Sequence, residues 1–145
     1  MKHLAQRGAT IIEFALGFLI FLMLFLGLVD FSRLLYTWAA ANEAARAGAR
    51  YAVVCDDTTQ KTTVLTYMQA RLPQINDIDI AWSPSGCTTA TCQGATVTIT
   101  DLKFQWIAPL VGKGLQAAIP MPKFSTYLPR EAMRKDPNSA TACAS

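Results

Sequence analysis

Glu13 is the residue whose type and position most clearly indicate chemistry. It is the single charged residue between Ala9 and Val29. A carboxylate inside a membrane helix costs about 2.5–3.5 kcal/mol on insertion scales, and such residues usually have a function. If the chain is cut after Gly8, the new α-amino group of Ala9 lies one helical turn from Glu13 and can neutralise it, on the same or a neighbouring chain. The alternative is a partly solvated carboxylate near the membrane interface that has no role.

Four cysteines offer a second kind of chemistry. All lie after the apolar segment, so an extracytoplasmic location would make disulfides the expected state. Three pairings are possible. We favour Cys87–Cys92, which closes the loop between two predicted strands, and Cys55–Cys143, which ties down the tail. Zinc is a weak alternative because the spacings match no zinc motif and the single histidine is His3. We therefore predict no metal and no cofactor.

Motifs for catalysis are missing from the sequence. It has no Gly-rich phosphate loop, no H-E-x-x-H and no nucleophile elbow. Asp77 and Asp79 fall on one face of a predicted strand, but the alternation makes that face the solvent face. The net charge of +3 comes without a dense Lys/Arg cluster, so there is no nucleic-acid footprint. We expect no catalytic residues, no small-molecule substrate and no nucleic-acid partner.

The element that must position Glu13 is a long apolar helix, predicted over Ala9–Val29. At 1.5 Å per residue it reaches roughly 30 Å, the hydrocarbon thickness of a bilayer. All its faces are apolar, which excludes an amphipathic surface helix. A buried core helix is a weaker alternative, because the remaining chain is too small to wrap it. Lys2 and Arg7 precede the segment, so the positive-inside rule predicts a cytoplasmic N-terminus and a periplasmic C-terminal part.

A cleaved signal peptide is the main competing interpretation of this segment. It would need a shorter apolar core, followed by a small-x-small cleavage site. The run is instead followed by Asp30–Arg33, which is a poor site, and helix-compatible sequence continues to about Arg50.

The stretch Arg7–Phe14 resembles the class III prepilin motif, in which a peptidase cuts after a glycine and a glutamate is fifth in the mature chain. Two further blocks, Leu28–Tyr36 and Asn42–Tyr51, are similar to the TadE-like family, pseudopilins of the tight-adherence (Tad) pilus. The resemblance is strong over residues 7–54. Toward the C-terminus, Ala132–Arg134 resembles the closing strand of the family.

The resemblance implies a minor pilin that supports assembly of an adhesive pilus from the bacterial inner membrane. Gly8 would precede the cut, Ala9 would begin the mature chain, and Glu13 would be the processing and assembly glutamate. Phe14 departs from the tyrosine that major pilins favour, which fits the minor branch. The implied partners are a prepilin peptidase, other pilins of the system, the inner-membrane assembly platform and membrane lipid. The competing function is an unprocessed, single-span adhesion or binding domain.

The remaining pattern predicts an α+β, pilin-like fold. A basic leader covers residues 1–8, the helix covers 9–50 with a transmembrane and an amphipathic half, and a periplasmic head covers 51–145. The small residues of the amphipathic half would pack on the head's own sheet, with docking to another pilin helix as the alternative. The head is predicted to contain, in chain order, a helix, two strands, a helix or loop, and a closing strand: Thr58–Leu72, Asp77–Trp82, Ala95–Trp106, Ile107–Ile119 and Phe124–Met133. A slip near Asp101 in the second strand indicates a β-bulge or a bend. The proline of the closing strand restricts that strand to an edge or a bulge.

Overall fold

The fold is a long helix followed by a short helix and a small antiparallel sheet. The computed structural model describes residues 3–55, 61–88, 90–107, 119–130 and 143. This is the predicted α+β class with a long N-terminal helix. The elements, in chain order, are α1 His3–Cys55, α2 Lys61–Gln69, β1 Ile75–Ser83, β2 Gly94–Phe104, β3 Ile119–Pro120 and β4 Phe124–Pro129.

Helix α1 passes through both compact units of the chain. One unit comprises Met1–Leu35 with Gln105–Ala118, and the other comprises Tyr36–Phe104 with Ile119–Ser145. The helix continues to Cys55, beyond the predicted end at residue 50, because the sequence after Arg50 has neither glycine nor proline to stop it. Its part from Ala9 onward is long and apolar enough, by length and composition, to cross a membrane.

Strand β2 is the centre of the sheet in the second unit. It pairs with β1 on one side and with β3 and β4 on the other, always antiparallel. The β1–β2 register shifts on both sides of the pair Asp77–Asp101. Before this point the buried side chains of β2 are at odd positions, Val97 and Ile99, and after it they are at even positions, Leu102 and Phe104. The predicted bulge near Asp101 is therefore confirmed.

Several predicted boundaries of the head differ from the structure. Helix α2 ends at Gln69 and closes in a turn, with Leu72 N–H donating to Met68; residues 58–60 lie outside the described part. Strand β2 stops at Phe104, two residues before the predicted end. Strand β4 stops at Pro129, since proline cannot donate to a ladder. Most of the predicted 107–119 segment and residues 131–134 lie outside the described part, and the short β3 was not predicted.

The core of the second unit lies between the second half of α1, α2 and the sheet. Small residues of α1 are buried against sheet residues, which confirms that the small-residue stripe packs on the protein's own sheet. Small side chains let a helix backbone approach a sheet closely, so the fit depends on residue size. The buried α1 residues of this cluster are Ala41, Ala44, Ala45, Ala49, Tyr51, Ala52 and Val53.

Candidate membrane and assembly helix

The first half of α1 exposes large apolar side chains on all sides. Phe14 is 73% exposed and Leu24 is 67% exposed, and none of the most apolar 18-residue window is buried inside the protein. The core-helix alternative is therefore wrong for this segment. Exposed apolar patches of this extent mark membrane or protein contact sites in natural proteins.

Four phenylalanines form a row along one side of this segment. Successive ring centroids of Phe14, Phe18, Phe21 and Phe25 are 6.0, 6.4 and 6.2 Å apart, and the rings are roughly parallel. Their 4-3-4 spacing is that of the a and d positions of a heptad, the pattern with which two helices pack along a seam. The sequence analysis treated this segment as uniformly apolar and did not use this spacing, although the sequence contains it.

Glu13 lies in the exposed, apolar part of α1, one turn after Ala9. The side chain of Glu13 makes no hydrogen bond and no ion pair with any described residue. Gly17 follows it at i+4, and a Cβ placed on Gly17 would meet nothing within 4 Å. The helix surface beside Glu13 is therefore open, so a cation or a second helix can approach this carboxylate without a clash.

Asp30, at the other end of the apolar segment, has the opposite environment. Its side chain is fully buried, and Arg33 Nη1 donates to Asp30 Oδ1 at 2.9 Å. The backbone N–H of Ile107 donates to both Asp30 oxygens, at 3.1 and 3.0 Å. Arg33 Nη1 also lies 3.4 Å from the carbonyl oxygen of Gln105. Burying a carboxylate is costly unless it is paired and hydrogen-bonded, and Asp30 is both.

The second half of α1 positions the head through close packing. A Cβ at Gly48 would meet the side chain of Met68, which is itself fully buried, and would lie 2.7 Å from its Cγ. Glycine is therefore required at this position by a helix–helix approach rather than by backbone conformation. Trp38 contacts Phe124 edge to face, with centroids 5.1 Å apart, and joins the helix to β4.

Both predicted disulfides are present in the structure. Cys55 at the end of α1 is bonded to Cys143, and Cys87 is bonded to Cys92 across the loop between β1 and β2. Arg130 is buried beside the loop that the Cys87–Cys92 disulfide closes. Its side-chain Nη1 lies 3.3 Å from the carbonyl oxygen of Cys92, and its backbone N–H donates to the carbonyl oxygen of Gln93. Nothing in the sequence singled out Arg130, because its partners are backbone groups nearly forty residues earlier in the chain.

The acids predicted to face solvent do so. Asp77 and Asp79 are exposed on β1, and Asp77 forms an ion pair with Lys61 at 2.8 Å. Hydrogen bonds from Lys61 and then from Thr100 hold the pKa of the Asp77 carboxyl below its ordinary value. Within the described ranges, no three His, Cys, Asp or Glu side chains come together as metal ligands.

Asp30 is the residue whose importance the sequence reasoning missed. Its position at the end of an apolar run was visible, but one of its partners is the amide of Ile107, 77 residues later. Main-chain donors carry no sequence signal, so the contact could be found only in the structure. Gly8 lies within α1, and no described contact tests its predicted role or that of Ala9.

These features define a class: an α+β protein with one N-terminal helix, apolar and exposed in its first half and packed on a small antiparallel sheet in its second. Residues 8–50 match the family model described as TadE-like protein. The resemblance stated from the sequence is thereby confirmed over this range, and it fits a pilin related to the Tad pilus. The TadE-like pilin family is structural and not enzymatic. No curated protein and no solved structure matched the chain.

Proposed function

We propose that this protein is a minor pilin, or pseudopilin, of a Tad pilus that supports pilus assembly and surface adhesion after processing by a prepilin peptidase. The single observation that carries the proposal is the TadE-like match over residues 8–50, which falls on a helix with an exposed apolar first half.

The proposed topology has a cytoplasmic N-terminus and a periplasmic head. Lys2 and Arg7 support this orientation through the positive-inside rule. The two disulfides also support it, since disulfides persist in the periplasm and are rare in the cytoplasm. The peptidase would remove Met1–Gly8 at the cytoplasmic face, which leaves a positively charged amine on Ala9.

Glu13 would then serve processing and assembly. Its carboxylate is exposed in an apolar surface, where an unpaired charge costs about 3 kcal/mol in a bilayer. The amine of Ala9, one turn away or on a neighbouring subunit, would compensate the charge. The open surface at Gly17 leaves room for that approach.

The phenylalanine row would provide the packing surface for other pilins of the system. In the inner membrane, the apolar segment is covered by lipid. When the assembly platform extracts the subunit, helix–helix contacts would replace lipid contacts, and the 4-3-4 row from Phe14 to Phe25 has the spacing for such a seam. The head needs no rearrangement in this step, because its core is built on the second half of α1.

The mature N-terminus tests the proposal most directly. The full chain, expressed with its prepilin peptidase and purified from membranes, should begin at Ala9 by N-terminal sequencing. A Gly8→Leu variant should keep Met1, because a bulky side chain blocks access to the scissile peptide. A wild-type protein that keeps Met1 in the presence of active peptidase would refute processing and favour the unprocessed adhesion domain.

Assembly is tested by removing the carboxylate. Glu13→Ala should impair processing or incorporation with other pilins, while both disulfides still form. Glu43→Ala is the matched control, because Glu43 is an exposed acid on the second half of the same helix. Normal fibre production by the Glu13→Ala variant would count against the proposed role of Glu13.

A further inference from the structure

A short segment after β2 is attached to α1 at the end of the apolar run. The segment is Gln105–Ile107, and it is held by Asp30 and Arg33 through the amide of Ile107 and the carbonyl of Gln105. Asp30 is fully buried although its neighbours on the helix, Leu28 and Phe31, are 67% and 55% exposed. A buried carboxylate that accepts three hydrogen bonds fixes the position of the backbone it holds, because leaving any of them unmade is costly.

The level of this attachment follows from helix geometry. Ala9–Val29 spans roughly 30 Å, so Asp30 lies where the hydrocarbon layer ends. The amide nitrogen of Ile107 is 3.0 Å from the carboxylate of Asp30 and must share that level. The side chain of Ile107 is more than half exposed, and Trp106 is half-buried. Tryptophan is enriched at this interfacial layer, where an amphipathic ring meets both apolar chains and water.

We propose that Gln105–Ile107 is a second membrane contact, held by Asp30 so that Trp106 and Ile107 enter the interfacial layer of a phospholipid bilayer. The inference rests on the proposed membrane insertion of the first half of α1 and goes beyond it. The occupant is lipid because Ile107, Leu28 and Phe31 are all large apolar side chains that stay more than half exposed near the end of the span. Arg33, 38% exposed in its side chain, can reach lipid phosphates from the same place.

The contact would set the depth of the subunit in the membrane before extraction. A single helix can slide and tilt at little cost. An interfacial tryptophan attached to the helix opposes that movement, since it favours one level in the bilayer. Extraction into a fibre would then require Trp106 to leave the lipid together with the helix.

Single-tryptophan variants can measure this contact in the full chain. Trp38→Phe with Trp82→Phe leaves only Trp106, and Trp38→Phe with Trp106→Phe leaves only Trp82 on β1 as the matched control. Each variant is reconstituted into phosphatidylcholine vesicles whose acyl chains carry bromine near the interface or near the bilayer centre. Shallow bromine should reduce Trp106 emission clearly, deep bromine should reduce it less, and Trp82 should be barely affected.

The role of Asp30 is tested in the Trp106-only protein. Asp30→Ala should lower the quenching by shallow bromine and raise quenching by aqueous acrylamide, because the segment is no longer held at the interface. Glu43→Ala is the matched control and should leave both values unchanged. Asp30→Asn, which keeps the shape of the side chain, covers the case in which the alanine variant fails to fold.

Four outcomes of these measurements would contradict the proposed contact, one of its steps or the membrane insertion on which it rests. Trp106 that is quenched no more than Trp82, in protein that stays in the bilayer after alkaline carbonate extraction, overturns the second contact and leaves the proposed function intact. Trp106 shielded from both bromine and acrylamide points to a protein neighbour instead of lipid and also overturns it. Unchanged quenching in both Asp30 variants overturns the holding role of Asp30. Protein that carbonate extracts from the vesicles refutes membrane insertion and, with it, both proposals.

Discussion

The two halves of α1 present opposite kinds of surface, although they belong to one continuous helix. From Ala9 to Val29, large side chains point outward and none of the most apolar window is buried. From Ala41 to Val53, alanines recur among exposed polar residues, and five of them are almost completely buried in the core of the head: Ala41, Ala44, Ala45, Ala49 and Ala52. Within the described part of the chain, the apolar window of the first half therefore stays exposed, whereas the second half is covered by the chain itself.

The difference shows that hydrophobicity alone does not indicate where a helix is buried. The second half contributes little apolar area per residue, but its small side chains allow α2 and the sheet to pack close to the helix backbone. Met68 against Gly48 is the clearest case. The first half has far more apolar area, and none of its most apolar window is buried among the described residues. Changes in the two halves should therefore affect different measurements: unfolding of the head for one, and membrane or pilin contacts for the other.

The largest effect on the head is expected from the disulfide at the end of the second half. Cys55 and Cys143 are 88 residues apart, so the chain-entropy model assigns this bond about 4.5 kcal/mol of stability. Replacing both of these cysteines with serine should lower the free energy of unfolding by about this amount. Urea titration of the full chain in mild detergent, followed by near-ultraviolet circular dichroism, measures the change.

The second disulfide is the control for that measurement. Cys87 and Cys92 are 5 residues apart, and the same model gives about 2 kcal/mol. Serine substitutions there should cost less than half as much. Equal losses in the two double variants would contradict the predicted dependence of stability on the length of the closed loop.

Most of the first half, and less of the head, could be predicted from sequence. A long run of apolar residues predicts an apolar helix surface, and the exposure of its side chains in the structure agrees with this. The roles of Gly8 and Glu13 stay predictions. The bulge at Asp101 was visible as a change of phase in β2. The burial of Asp30 and of Arg130 was not, because each is decided by backbone groups far away in the chain. Strand β3 has two residues and no pattern of its own, so only its pairing with β2 defines it.

Two glycines compare the halves directly. Gly17→Ala introduces a methyl group into open space and should leave head stability unchanged. Gly48→Ala places the same methyl group against Met68 in the packed core, where overpacking costs about 1–3 kcal/mol and outweighs the gain of about 1 kcal/mol in helix propensity. Urea unfolding in detergent should show a loss for Gly48→Ala alone. If both variants unfold at the wild-type midpoint, Met68 can move aside and the second half is not tightly fitted.

The smallest effect on the stability of the head is expected from an exposed ion pair. It tests whether surface charge adds to the stability that packing against the helix provides. The pKa of Asp77 is held below its ordinary value by Lys61 and Thr100, so folding favours the ionised carboxylate. Its contribution is therefore complete above the ordinary carboxyl pKa of about 3.9 and is lost as the pH falls through the lower pKa of the folded state.

Asp77→Asn removes this carboxylate, so the variant should be less stable than wild type near neutral pH. The difference between their free energies of unfolding should shrink as the solution becomes acidic. Asp79→Asn, on the exposed side of the same strand, is the control, since Asp79 makes no ion pair or hydrogen bond among the described residues. Because Asp77 is solvated and salt screens such pairs, the difference should shrink in 1 M salt. A difference that persists unchanged at low pH and high salt would mean that Asp77 supports β1 through something other than its charge. In that case the strands would contribute more to the stability of the head, and the second half of α1 would contribute less, than the burial of these elements indicates.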